Sequence, residues 1–159
     1  MQKIFLVVVG LLMFGSCGSS TGEKKNQPEE KKVVATAAPE VKPEYLNENT
    51  FREKVFDFTS GKDWSFVGDK PCIVDFYADW CAPCRRLSPI LEEISKEYDG
   101  KINVYKVNTD QNQNLSAYFN VTSIPAVLFC PKAGKPQMMV GLYPKDEYVK
   151  AISQVLGVK

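Results

Sequence analysis

The sequence predicts an α/β domain in which a mixed central β-sheet lies between layers of helices. Residues 72–78 are almost continuously apolar, which is typical of a strand covered on both faces. From there, strand-like and helix-like patterns alternate in the order β-α-β-α-β-β-α, and the turn residues 131–136 separate the last two strands. A buried central strand in this order favours a single sheet with helices on both sides.

A helix and a short strand are predicted before this buried strand. Asn49 or Thr50 can cap a helix whose apolar side chains recur at helical spacing, at Phe51, Val55 and Phe58. Residues 64–66 predict a short edge strand, and the turn-forming residues 68–71 end it.

The elements after the buried strand begin with a long amphipathic helix. Its apolar residues run to Gly100, and Pro89 predicts a kink within it. The later elements are a strand at 102–107, a short helix at 115–119, a strand at 126–130, its hairpin partner at 137–140, and a last helix from about residue 145.

Composition excludes several functions. The chain has 159 residues, enough for one domain with appendages. Its formal net charge of +1 does not indicate a surface that binds nucleic acid. Because there is no histidine, Ser-His and Cys-His nucleophiles and histidine metal sites are excluded. No zinc site is expected, since a second Cys-x-x-Cys is absent. The sequence contains no fingerprint for a flavin or nicotinamide cofactor.

Residues 1–17 have the form of an export signal. A short basic start precedes the apolar residues 4–14, which are too few to span a bilayer, and small residues then lead to Cys17. This pattern resembles the lipobox of bacterial lipoproteins, whose cysteine becomes the lipidated first residue, although Phe14 stands where leucine is usual. The alternative is an ordinary cleaved signal. Either signal places the domain in the periplasm or cell envelope.

Residues 18–44 predict a disordered tether ahead of a folded domain at 45–159. The segment is rich in Gly, Ser, Lys, Glu, Gln, Ala and Pro, and it has almost no large apolar side chains. It therefore cannot bury enough surface to offset the entropy lost on ordering. A lipid anchor and this tether would hold the domain some distance from the membrane.

Two thiols stand three positions apart where the buried strand passes into the long helix. The spacing lets Cys81 and Cys84 close a small disulfide ring, and the helix start places the first sulfur near unpaired N–H groups. This is the arrangement that a dithiol–disulfide exchanger needs. Two structural thiols are the alternative.

From about residue 45 onward the chain resembles the thioredoxin family. The resemblance rests on ordered signals: Val74 to Cys84 (VDFYADWCAPC), Pro89 to Leu91, Lys106 to Asn108, Ser123 to Pro125, Gly134, and Val140 with Gly141. It implies the thioredoxin fold. The short interval between Cys84 and Pro125 leaves no room for the helical insertion of the oxidase relatives. With its signal and tether, the chain is similar to envelope-located thioredoxins of Gram-negative bacteria.

The resemblance assigns chemical roles to four residues. Cys81 would be the nucleophile, and Cys84 the shielded, resolving thiol. Asp75 would accept the proton of Cys84, with Lys106 on the adjacent strand as its partner. A buried ion pair kept for structure alone is the alternative for Asp75.

The resemblance also implies a substrate groove. Pro125 matches the cis-proline loop that faces the cysteines, which would free the backbone of Ile124 to pair with an extended substrate. An ordinary turn is the alternative for this proline. The remaining groove residues would be Trp80, Ala82, Pro83 and Gly141. Ala82 replaces the usual glycine between the cysteines. Because the residues at these positions tune the redox potential, the resemblance does not fix its value.

Cys72 and Cys130 have no counterpart in the family motif. Cys72 begins the central strand and Cys130 ends the strand expected to run antiparallel to it, so the two positions should meet. A second disulfide and a regulatory pair are both compatible with that placement. Separate, buried free thiols are the expected state.

The leading interpretation is a membrane-tethered thiol–disulfide oxidoreductase that reduces protein disulfides of the cell envelope. Its only redox group would be the Cys81–Cys84 disulfide, and its electrons would come from a membrane thiol donor. A monomer is expected. The alternatives are a disulfide oxidase or isomerase, and a partner subunit that uses the fold without redox turnover.

Overall fold

A computed structural model describes residues 41–159, and expectations for the signal, for lipidation at Cys17 and for nearly all of the tether lie outside the described residues. The elements are β1 (Glu44–Tyr45), α1 (Glu48–Lys54), β2 (Cys72–Tyr77), α2 (Ala82–Glu97), β3 (Asn103–Asn108), α3 (Gln113–Tyr118), β4 (Ala126–Cys130), β5 (Gln137–Val140) and α4 (Lys145–Ala151), which continues as a π-helical turn at Ile152–Leu156.

The five strands form one mixed sheet in the order β1-β3-β2-β4-β5. Strands β1, β3 and β2 are parallel, while β4 is antiparallel to β2 and β5 is antiparallel to β4. The central strand β2 is buried from Cys72 to Phe76, as its apolar sequence predicts. The predicted mixed sheet between helices is confirmed.

Two apolar layers cover the sheet, one on each face. Alternate residues of β2 point to opposite faces. Val74 and Phe76 join the layer that contains Phe51 of α1 and Leu115 of α3. On the other face, Ile73 joins the layer formed with α2 and α4, which contains Leu87, Leu91, Ile94, Tyr148 and Ile152. Helix α2, which begins at the cysteines, is therefore fixed along its length by burial.

The predicted edge strand at residues 64–66 is wrong. The edge is occupied by Glu44–Tyr45, which pairs with β3, and the amide of Leu46 extends this pairing to the carbonyl of Lys106 at 2.8 Å. Residues 64–66 form a loop instead. The ring of Trp64 packs on Phe56 at 4.7 Å between centroids. The aromatic side chains of this segment, Trp64 and Phe66, are therefore explained by packing against the core, in which they are partly buried, rather than by strand pairing.

The first helix begins earlier than predicted, because Asn47 is its cap. The Asn47 side chain accepts a hydrogen bond from the amide of Thr50 at 3.0 Å, and the Thr50 hydroxyl accepts one from the amide of Asn47 at 2.9 Å. This reciprocal capping box satisfies two otherwise unpaired amides. Thr50 therefore belongs to the cap without being the capping residue.

Helix α2 runs through Pro89 without ending there. The proline has no amide hydrogen to donate to the carbonyl of Arg85, yet burial of the helix on the sheet keeps it continuous. Between residues 41 and 159, none of the helices combines the length and the apolar character needed to cross a bilayer.

Candidate active site

The two cysteines of the motif lie at the N-terminus of α2 and are joined by a disulfide of 2.06 Å. Cys81 is the N-cap residue, and its Sγ accepts a hydrogen bond from the amide of Cys84 at 3.2 Å. The helix dipole and this amide would stabilise a negative charge on Cys81 Sγ after reduction. The position of Cys81 therefore suits a thiolate nucleophile.

Exposure does not separate the two cysteines in this oxidised state. Cys81 is 3% exposed and Cys84 is 2% exposed, and both pack against Ala78 and Ile124. Trp80, which directly precedes Cys81, is 69% exposed. Trp80 and Ile124 therefore border the disulfide on its outer side.

Asp75 is a fully buried carboxylate on β2, next to Lys106 in the register with β3. The Lys106 Nζ lies 3.2 Å from Asp75 Oδ2, an ion-pair distance, but neither oxygen of the carboxylate accepts an aligned hydrogen bond from the described residues. Burial raises the pKa of Asp75 to about 6, because desolvation outweighs the attraction of the Lys106 ammonium. A carboxylate with such a pKa can exchange a proton near neutral pH.

Ser88 connects this ion pair to the helix that carries the cysteines. The Lys106 ammonium donates to Ser88 Oγ at 2.6 Å, and the Ser88 hydroxyl donates to the carbonyl of Cys84 at 3.3 Å. The ammonium also lies 4.7 Å from the centre of the Tyr77 ring. Ser88 is not among the site residues predicted from the sequence, although its spacing of four residues from Cys84 places both on one side of the helix.

A surface cleft of about 220 Å³ reaches these groups from outside. Its lining residues come from β1, from the end of β2, from α2 and from β3: Tyr45, Tyr77, Ala78, Asp79, Cys84, Arg85, Ser88 and Lys106. The carboxylate of Asp75 does not line the cleft. Contact between Asp75 and solvent therefore runs past Lys106 and Ser88.

The loop before β4 faces the cysteines. The peptide bond between Ile124 and Pro125 is cis, as the resemblance implies, and the Pro125 carbonyl accepts a hydrogen bond from Gly141 at 2.8 Å. Gly141 has a φ of 110°, which favours glycine. Within residues 41–159, no backbone hydrogen bond involves Ile124. Its backbone is therefore available to a strand-like partner.

Trp80 is held by a residue that the sequence analysis missed. Its indole N–H donates to Asp110 Oδ2 at 2.9 Å. On the same edge, Asn108 donates to Asp79 Oδ2 at 3.3 Å, and the Arg85 guanidinium donates to the carbonyl of Asp79 at 3.0 Å. Because β2 and β3 are parallel, the residues after their C-terminal ends meet at one edge, and this rule would have indicated Asp110.

The remaining predicted residues have distinct positions. Ala82 and Pro83 form the first turn of α2, next to the disulfide. Cys72 and Cys130 are free, buried and directly opposite each other, at the far ends of β2 and β4 from the site. Among residues 41–159, no group of three or more Cys, Asp or Glu side chains is arranged to hold a metal ion.

The folded part of the chain is similar to known proteins. The thioredoxin family model matches residues 43–154. Thioredoxin from Borreliella burgdorferi is 47% identical over 112 residues, which cover 70% of this chain and 96% of that protein. Thioredoxin 1 of Nostoc sp. is 38% identical over 111 residues, which cover 70% of this chain and 94% of the relative.

A solved structure shares the arrangement of elements. The crystal structure of chloroplastic thioredoxin z matches with a TM-score of 0.59 and 27% sequence identity, over 72% of this chain and 94% of that one. The mixed sheet flanked by helices is therefore a thioredoxin fold, as the resemblance implies.

Proposed function

Since the chain belongs to the thioredoxin family of protein-disulfide oxidoreductases, we propose that it reduces protein disulfides in the bacterial cell envelope. The reaction would pass through a mixed disulfide on Cys81. The observation that carries this proposal is the Cys81–Cys84 disulfide at the start of α2, with a buried Asp75–Lys106 pair behind it.

The first step uses the reduced protein. The Cys81 thiolate attacks one sulfur of the substrate disulfide, which breaks that bond and releases the other substrate sulfur as a thiol. The position of Cys81 at the helix start supports its choice as the attacking sulfur. The free backbone of Ile124 would hold an extended substrate segment, while Trp80, Pro83 and Gly141 border it.

The second step resolves the mixed disulfide. Cys84 loses its proton, attacks Cys81 Sγ and releases the second substrate thiol, so that two electrons have left the protein pair and a Cys81–Cys84 disulfide remains. Asp75 would accept the proton of Cys84, because its raised pKa suits proton transfer near neutral pH. Lys106 and Ser88 lie between the carboxylate and the solvent cleft, so the proton would be transferred past them to solvent.

Two features support the direction of electron flow toward substrates. The residues between the cysteines are Ala82 and Pro83, with no histidine to make the pair strongly oxidising. The interval from Cys84 to the cis-proline holds only the rest of α2, one strand and one short helix, with no helical insertion. A membrane thiol donor would return two electrons to the Cys81–Cys84 disulfide after each turnover.

The envelope location is supported by residues 1–17. Their basic start, their apolar core and Cys17 resemble a lipoprotein signal, and two or more acyl chains would anchor the domain stably. The residues between Cys17 and β1 would then act as the tether, and the domain would work as a monomer at the membrane surface.

Reduction of insulin by the purified full chain, with dithiothreitol as electron source, tests the proposed activity. We expect rapid precipitation of the insulin B chain with the wild-type protein and loss of that acceleration in Cys81→Ser. Cys17→Ser is the matched control, because it removes one thiol outside the domain and should keep full activity. Equal rates for wild type and Cys81→Ser would instead favour a partner subunit without redox turnover.

A further inference from the structure

Cys72 and Cys130 form a second thiol pair in the sheet. They are directly opposite in the antiparallel register of β2 and β4, and both are 0% exposed. Directly opposite residues of antiparallel strands have Cα atoms about 4.5 or about 5.5 Å apart, depending on the type of pair. Both values lie within the range of about 4.4 to 6.8 Å that a disulfide needs. The backbone therefore already has the spacing of a cross-strand disulfide.

The two side chains contact each other as well. Burial raises the pKa of the Cys130 thiol well above its usual range, and the hydrogen bond with Cys72 raises it further. In the closed fold the Cys130 side chain is therefore a protonated thiol. Since the thiolate is the reactive form and both side chains are fully buried, the pair is unreactive while the strands stay closed.

This pair is separate from the site that performs disulfide exchange. Cys72 and Cys130 belong to the layer that contains Phe51 and Val55 of α1, on one face of the sheet. Asp75 is three residues from Cys72 on β2, and an odd spacing along a strand points the two side chains to opposite faces. On that other face, Asp75 pairs with Lys106 of β3, which in turn donates to Ser88 of α2. Neither Cys72 nor Cys130 can therefore resolve a mixed disulfide on Cys81.

We propose that Cys72 and Cys130 are a second dithiol–disulfide couple, which closes into a cross-strand disulfide when a small-molecule disulfide such as glutathione disulfide reaches it. The small-molecule disulfide can reach the two thiols during folding, or when β2 and β4 separate. One cysteine thiolate attacks the small disulfide, breaks its S–S bond and releases one thiol. The other cysteine then attacks the mixed disulfide and releases the second thiol. The protein pair is oxidised by two electrons and the small disulfide is reduced to two thiols.

The cross-link would connect the two strands that position the active site. Strand β2 carries Asp75, and β4 follows directly after Pro125, so a bond between their far ends fixes both strands relative to each other. Once the strands have closed over it, the disulfide is as inaccessible to reductants as the thiols are to oxidants. This second couple therefore responds to the redox conditions under which the chain folds, and it does not turn over with the substrate.

The test uses the full chain with Cys81→Ser and Cys84→Ser, so that Cys17 remains as an internal competitor. The reduced protein is unfolded in denaturant, refolded by dilution into an oxidising glutathione buffer, alkylated under denaturing conditions and digested with trypsin. Lys70 precedes a proline, so Cys72 lies in the tryptic peptide 63–85 and Cys130 lies in 107–132. We expect these two peptides to be joined in monomeric protein, with loss of both alkylatable thiols, while Cys17 stays alkylatable or pairs only with glutathione.

Two further samples make the result decisive. In the matched variant that also carries Cys130→Ser, the joined peptide should vanish. Native wild-type protein that has never been unfolded should form the cross-link slowly, at a rate that rises with sub-denaturing urea. Refolded protein with a native circular-dichroism spectrum and two alkylatable thiols at Cys72 and Cys130 would overturn the proposal. Cross-links that involve Cys17 as often as the pair itself would overturn it too.

Discussion

At the scale of single residues, the proposed chemistry depends on one carboxylate that the fold buries, Asp75. Asp75 is held in the central strand with the Lys106 ammonium 3.2 Å away, and neither oxygen of the carboxylate accepts an aligned hydrogen bond from the described residues. The ion pair is therefore incomplete, and the desolvation of Asp75 dominates its pKa. A carboxylate in that condition reduces stability at neutral pH, and in the proposed mechanism it serves as a base.

Asp75→Asn should stabilise the protein at neutral pH. Because the pKa of Asp75 is raised from 3.8 to about 6 in the folded state, ionisation above that pH favours the unfolded chain. At about 1.36 kcal/mol per pKa unit, the variant should gain up to about 3 kcal/mol in free energy of unfolding at pH 7. Urea unfolding of oxidised protein measures this, with the exposed Asp63→Asn as control.

The same experiment has a defined pH signature. In the wild type, the Asp75 contribution is most favourable below pH 4, declines as the pH rises from about 4 to about 6, and is constant above that range. The Asn variant should lack this decline. An Asp75→Asn protein that is less stable than the wild type at pH 7 would contradict the account of an underpaired, buried carboxylate.

Lys106→Met should move the pH dependence of activity upward. Removing the ammonium 3.2 Å from Asp75 takes away the charge that favours ionisation, so the pKa of Asp75 should rise above 6 by about 1 unit or more. The pH at which insulin reduction reaches half of its maximum should rise with it. Lys101→Met, which removes an exposed lysine, should leave that pH unchanged. An unshifted midpoint in Lys106→Met would rule out Asp75 as the controlling base.

At the scale of elements, the structure separates a scaffold face from a reactive face. Helices α1 and α3 pack on one side of the sheet, while α2 carries the cysteines on the other. The loops after β2 and β3, together with the cis-proline loop before β4, meet beside the start of α2. Changes in α1 should therefore alter stability without altering the chemistry.

Asn47→Ala should lower stability and preserve activity. The substitution removes the side-chain half of the capping box on α1, a loss of about 1 kcal/mol in free energy of unfolding. Insulin reduction at a temperature well below the midpoint of unfolding should be unchanged. Asn49→Ala is the matched control, since it makes the same change within α1 and should be neutral or slightly stabilising. Equal destabilisation by both variants would show that the cap is not the cause.

The elements also show which contacts a sequence can predict. The apolar run of β2, the cysteine pair and Pro125 are local patterns, and the structure places each as expected. Strand β1 has only two residues, too few for a periodic pattern, whereas residues 64–66 carry two aromatic side chains that resemble those of an edge strand. A short edge strand is decided by its partner, here β3, rather than by its own sequence.

Contacts between distant segments were the hardest to predict. Ser88 meets Lys106, and Asp110 meets Trp80, although each pair joins two separate elements. Predicting these two contacts requires knowing which strand ends lie next to each other. The local propensities of serine and aspartate do not provide that information. For Cys72 and Cys130, by contrast, the predicted antiparallel pairing was sufficient to bring them face to face.

At the scale of the whole molecule, the proposal combines an anchor, a tether and a redox domain. The domain carries the chemistry, and residues 1–17 would decide where the chemistry takes place. A tethered reductant meets only substrates within reach of the membrane surface, and tether length sets that reach. The location and the activity can therefore be separated by substitution.

Cys17→Ser should release the protein from the membrane. If Cys17 carries the acyl chains, its loss should move the protein from the membrane fraction to the soluble envelope fraction or block its processing, and metabolic labelling with a fatty acid should disappear. Ser16→Ala, next to it, should remain membrane-bound and labelled. A Cys17→Ser protein that is still labelled and membrane-bound would contradict lipidation at this residue.

The direction of electron flow is the central claim, and the reduction potential of the Cys81–Cys84 pair tests it most directly. The full chain can be equilibrated in glutathione buffers of known potential, with tryptophan fluorescence as the readout and Cys81→Ser/Cys84→Ser as the blank. We predict a value near that of thioredoxin, about −270 mV, which makes the protein an electron donor to envelope disulfides. A value of about −180 to −120 mV would contradict the account and assign the protein to the isomerases or oxidases.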